Sequence, residues 1–123
     1  MRNRPFVSHY LQELESVIKR ISQEDIDGVI EILYGAWKGE RQVFLAGNGG
    51  SAATATHFAS DLSKFASVEG KKRFKAMALT ENMSLVTALT NDLGWENVYV
   101  EQLKNLMRKG DILIVISVHG GAG

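Results

Sequence analysis

The stretch Asp111-Ile-Leu-Ile-Val-Ile-Ser117 leaves the chain little choice of architecture. Its interior is aliphatic throughout, so as a strand it has no face to turn to water. A strand buried on both sides belongs in a parallel sheet with helices above and below it. Two earlier runs share this character: Gln42-Val-Phe-Leu-Ala46, bounded by charges and by Gly, and Phe74-Lys-Ala-Met-Ala-Leu79. Between the runs the apolar period lengthens to that of helices. Over residues 51–65, Ala52, Ala55, Phe58, Ala59 and Leu62 share a packing side. Asn82 to about Leu89 reads as helical, and Trp95, Tyr99, Leu103, Leu106 and Met107 mark another helix. Arg108 and Lys109 suit the negative end of that helix, and Gly110 suits a left-handed cap. Alternating strands and helices predict an α/β fold with right-handed crossovers and a parallel sheet covered on both faces.

Two amphipathic helices precede the first strand. Tyr10, Leu14, Val17 and Ile21 form one stripe, widened by Leu11 and Ile18. Ile26, Val29, Ile30, Leu33 and Trp37 form the second. Between them, Ser22 followed by Asp25 resembles a capping box with Asp in place of Glu or Gln. These faces are expected to pack on the sheet and on another subunit; the alternative is a local lid on the core. The chain reads as one domain over residues 1–123, with leading helices in 1–40 and the three strands and their crossover helices in 41–123. It stops directly after an apolar strand, where a covering helix should begin, so it is expected to be the N-terminal part of that domain.

Charge narrows the partners. Fourteen basic residues balance fourteen acidic ones, so no global field draws the chain to nucleic acid or to an anionic membrane. The cluster Lys71-Lys-Arg-Phe-Lys75 is most simply a solvated loop. The absence of cysteine excludes disulfides and thiolate metal sites. The polar N-terminus is no signal peptide and no run approaches a membrane span, so the expected address is the cytoplasm.

The chemistry concentrates after the first strand, in Ala46-Gly-Asn-Gly-Gly-Ser-Ala-Ala53. Glycines in a strand-to-helix turn let a ligand approach the main chain, and a helix start favours an anion. Ser51 is placed to cap the helix and offer a hydroxyl, and a sugar phosphate fits such a site. A tight turn without ligand is the plain alternative. Gly47-x-Gly49-x-x-Ala52 also matches a relaxed dinucleotide pattern, but its acidic partner should lie roughly 20 residues on, whereas the second strand ends at Leu79-Thr80-Glu81. Farther along the helix, Thr54, His57 and Asp61 share one face. His57 and Asp61 in this spacing could hold a zinc ion, orient a proton-transfer group, or form an ordinary surface pair.

Gly47-Asn-Gly-Gly-Ser51, His57-Phe-Ala-Ser-Asp61 and Asn91-Asp92-x-Gly94, in this order, resemble the phosphoheptose isomerases and their relatives of the SIS (sugar isomerase) fold. The resemblance implies a flavodoxin-like three-layer sandwich, assembled as a homotetramer with sites at subunit contacts and acting on sedoheptulose 7-phosphate. It implies substrate contacts from Asn48, Gly49, Gly50, Ser51, Asn91 and Asp92. His57 then stands at a zinc-ligand position, and Asp61 at the position of a ligand and catalytic base that is Glu in the family. The phosphate loop after the third strand is Ser/Thr-rich in those enzymes. Here it reads Ser117-Val-His-Gly-Gly-Ala-Gly123, in which Ser117 and Gly120 match; the glycine amides could form an anion nest, and His119 could add charge when protonated. The shorter Asp61 and the depleted loop leave a second class open, a non-catalytic SIS-fold regulator such as one associating with a replication initiator.

Overall fold

A computed structural model describes residues 3–120. The elements run α1 (Arg4–Lys19), α2 (Gln23–Lys38), β1 (Gln42–Gly47), α3 (Gly50–Ser60), a π-helical turn (Asp61–Phe65), β2 (Lys75–Ala78), α4 (Met83–Leu93), a 3₁₀ turn (Trp95–Asn97), α5 (Val98–Leu106) and β3 (Ile112–Ile116). The chain divides into two compact units, Met1–Glu31 and Ile32–Gly123, so the boundary falls inside α2. In the first unit, Ser22 caps α2 as its spacing predicts, accepting from the Asp25 amide at 3.1 Å. The stripe residues Tyr10, Leu14, Val17, Ile18, Ile26 and Ile30 are exposed, and α1 buries none of its residues.

In the second unit the sheet is parallel with strand order β2-β1-β3. This is the doubly wound order, and it makes β1 central. One face of the sheet packs Val43 and Leu45 against Ala55, Ala59 and Leu62 of the α3 region and Ala36 of α2. The other packs Phe44, Ala46 and Leu79 against Tyr99, Leu103 and Leu106 of α5. Helix, sheet and helix thus form the three layers expected of the α/β sandwich.

Four local expectations change. β3 is covered on one side only: Ile112, Ile114 and Ile116 face the α3 layer, while Leu113 and Val115 are exposed because α5 lies over β1. α4 runs on to Leu93, four residues past its expected end, with Asn82 capping it through the Leu85 amide at 3.1 Å. α5 ends at Leu106 because Met107 turns extended. Gly110, at φ +91, therefore serves the turn into β3 instead of a helix cap, and there Asp111 accepts from the Arg108 amide at 2.8 Å.

Candidate functional site

The sheet order sets the site. Gly47 ends β1 opposite Ile116 of β3, so the Gly-rich turn and Ser117 leave adjacent strands at one edge. In doubly wound sheets that edge is where ligands bind. The turn is tight. A Cβ at Gly47 would lie 2.8 Å from the Ser51 backbone, so only glycine lets the first turn of α3 pack onto the strand end. Gly49 takes the N-cap position at φ +55, a conformation open to glycine.

This corrects the expected role of Ser51. It is not the cap: it lies inside the first helical turn, is buried, and makes no cap hydrogen bond because Gly49 occupies that position. The supply of free amides is also narrower than a bare helix start suggests. The Ser51 amide donates to Asn48 O at 3.0 Å, and those of Ala52 and Ala53 to Gly49 O at 3.0 and 3.2 Å. Among the described residues, the Gly49 and Gly50 amides have no such partner and remain as anion donors.

Beside the turn opens a cavity of about 680 Å³ between α3, α4 and α5. Asn48, Gly49 and Asn91 all line it, which joins two of the sequence motifs in one space. Thr56, Thr87 and Thr90 add hydroxyls, and Trp95 and Tyr99 supply an aromatic wall. Sequence reasoning gave Trp95 and Tyr99 only a packing role, since their helical spacing is that of core residues. Tyr99 does pack on the core, yet its hydroxyl lies 2.6 Å from Gly47 O and 2.8 Å from the Asn48 side chain. Asp92 accepts from Asn91 Nδ2 at 3.0 Å and is itself exposed, outside the cavity lining.

His57 and Asp61 open on a different, shallower cleft with Thr54, as their helical spacing predicts. Ala53 lines both spaces. His57 Nε2 lies 3.4 Å from Asp61 Oδ2, with the side chains 78% and 45% exposed. Ligands about 2.1 Å from a tetrahedral zinc stand about 3.4 Å apart, so this pair has the spacing of two such ligands. No group of three or more His, Cys, Asp or Glu side chains suited to a metal occurs among the described residues. The pair therefore fits half of a zinc site. Asp61 also opens the π-helical turn, in which the Ala66 amide reaches back to Asp61 O at 2.9 Å. Such turns often mark functional positions in helices.

After β3, the Gly120 amide donates to Ser117 Oγ at 3.1 Å, which leaves the hydroxyl proton as a donor. His119 is exposed and lines neither of the two spaces. The expected glycine nest falls partly on residues 121–123, outside the described residues. No helix among the described residues is long and apolar enough to cross a membrane.

Comparison with known proteins adds to this geometry. A family profile described as the SIS domain matches residues 9–123. The phosphoheptose isomerase of Clostridium acetobutylicum is 39% identical over 100 residues, which cover 80% of this chain and 50% of that protein. A lincomycin biosynthesis protein of Streptomyces lincolnensis is 40% identical over 92 residues, 75% of this chain and 34% of its own length. The solved structure of a phosphoheptose isomerase from Neisseria gonorrhoeae superposes with a TM-score of 0.80 at 28% identity, covering 95% of this chain and 61% of that one. The chain thus spans half or less of the length of those two curated relatives.

Proposed function

The chain belongs to the SIS domain family, and on that premise we propose that it binds a phosphorylated sugar and serves its aldose–ketose isomerisation, as a phosphoheptose isomerase does. The observation that carries the reading is the arrangement around Ala53. Ala53 is common to the lining of the cavity with Asn48, Gly49 and Asn91 and of the cleft with His57 and Asp61. The phosphate would take its donors from the Gly49 and Gly50 amides and the Ser117 hydroxyl, on the turns that leave the adjacent strands β1 and β3. The sugar then runs along α3 toward His57, its hydroxyls meeting Asn48 and Asn91. Asp61, an accessible carboxylate, moves the proton between neighbouring carbons.

His57 and Asp61 would hold a zinc ion jointly with ligands from outside the described residues. When bound, that ion supplies Lewis-acid polarisation of the sugar carbonyl. The exposed apolar stripes of α1 and α2 support assembly with further copies of the chain, a homotetramer on the family pattern. A cytoplasmic setting suits such an enzyme. The binding-only alternative is not favoured, since the Clostridium and Neisseria proteins are both named isomerases.

The test is an assay of the protein with sedoheptulose 7-phosphate, following the aldose product by NMR, with zinc content measured in parallel. We expect turnover, stoichiometric zinc, and loss of at least about 100-fold in kcat for His57→Ala. Sugar-phosphate binding without turnover or zinc would move the reading to a module that only binds. No binding of any sugar phosphate would remove it altogether.

A further inference from the structure

The hydroxyl of Tyr99 has one proton and two oxygens within reach, Gly47 O at 2.6 Å and the Asn48 side-chain oxygen at 2.8 Å. It cannot donate fully to both. The oxygen and nitrogen ends of an Asn amide exchange places by a half-turn about its last bond. With that half-turn every group is used: Tyr99 donates to Gly47 O and accepts from Asn48 Nδ2. The hydroxyl stays protonated in this role, since burial pushes its pKa above the ordinary tyrosine range. The ring is itself fixed, edge-on to Trp95 at 6.0 Å between centroids and packed on the core cluster of Phe44, Ala46 and Leu79.

We propose that Tyr99 is a positioning residue that ties the turn to α5 and turns Asn48 so that its carbonyl oxygen, not its amide nitrogen, faces the cavity. Asn48 is exposed on the cavity wall, so this orientation decides which group it recognises. A carbonyl oxygen accepts from a sugar hydroxyl and repels a phosphate. Asn48 thereby reads the polyol of the substrate, and anion binding falls to the Gly49 and Gly50 amides. The inference rests on the sugar-phosphate reading for its ligand, while the tether itself can be seen without one.

The experiment compares wild type, Tyr99→Phe, Asn48→Ala and the double variant in binding inorganic phosphate and sedoheptulose 7-phosphate. It also records the Asn48 side-chain NH₂ signals of the ligand-free protein by NMR. We expect Tyr99→Phe to weaken the sugar phosphate about 5- to 10-fold while phosphate affinity is unchanged. Asn48→Ala should then cost nothing more in the Tyr99→Phe background. In the ligand-free protein the Asn48 NH₂ should be slow to exchange in wild type and fast in Tyr99→Phe. Equal weakening of both ligands would make Tyr99 a merely structural residue and overturn the proposal. So would an Asn48 signal indifferent to the substitution. If wild type binds no sugar phosphate, the functional reading falls, and the NMR signal alone decides the tether.

Discussion

The turn after β1 and the loop after β3 leave adjacent strands at one edge of the sheet, yet they are held very differently. β1 is paired on both sides and buried from Val43 onward. Its turn is fixed by the close approach of Ser51 to Gly47 and by the Tyr99 hydroxyl. β3 is an edge strand with one exposed face, and its loop has the single tie from Gly120 to Ser117 among the described residues. In sequence β3 is the more apolar of the two strands. Composition says what a strand is suited to be buried against, while its place in the sheet decides what the chain provides. Preorganised amides need the central position, because a donor that moves with its loop loses part of its binding energy to ordering.

The sharpest way to break this comparison is to remove one side chain from each strand. Phe44 is fully buried, and Val115 is 68% exposed. Phe44→Ala should destabilise the protein by about 3–5 kcal/mol through the cavity it leaves. Val115→Ala should change stability by less than about 0.5 kcal/mol. Urea denaturation of both variants measures the difference. Similar losses would mean that the outer face of β3 is covered in solution and that the contrast between the strands is unreal.

The two loops can be compared in the same way, at a smaller scale. Gly47→Ala forces a Cβ to 2.8 Å from the Ser51 backbone and should cost about 3 kcal/mol. Gly120→Ala meets nothing within 4 Å and has only its φ of +52 against it, which should cost about 1 kcal/mol. Thermal unfolding of the pair reads both numbers. If Gly47→Ala is as mild as Gly120→Ala, the turn yields readily and its amides are not preorganised.

Much of this is legible in the sequence. The three apolar runs gave the strands, and the lengthened period between them gave the helices. The parallel pairing followed from the alternation of strands and helices. The Thr54, His57 and Asp61 face also survived, because helical spacing is a local rule. What failed depended on main-chain geometry that no residue type announces. Ser51 looked like a cap, but Gly49 reached the left-handed conformation first and took the position. Gly110 looked like a helix terminator, but α5 had already ended at Leu106, leaving the glycine to the turn. Tyr99 was hidden for another reason: a ring with core spacing gives no sign of where its hydroxyl will end, 52 residues from Gly47 in the chain.

The opposite ends of the same two strands supply the finest test. Asp111, just before β3, accepts from the Gln42 amide at 2.9 Å and the Gln42 side chain at 3.0 Å, where β1 begins. Burial works against its carboxylate, but these bonds, the Arg108 amide and the charge of Arg41 outweigh it, so its pKa lies below the ordinary range. A carboxylate with a lowered folded pKa stabilises the fold above its unfolded value, about 3.9, and loses that contribution as pH falls through the folded value. Asp111→Asn should therefore cost about 1–2 kcal/mol at pH 7. The gap to wild type should narrow as pH falls below about 4 and through the lowered folded value. Urea denaturation across that range measures it. A gap that stays constant would mean that the ionised Asp111 does not clamp β1 to β3, and that the pairing of these strands rests on their backbone ladder and apolar contacts alone.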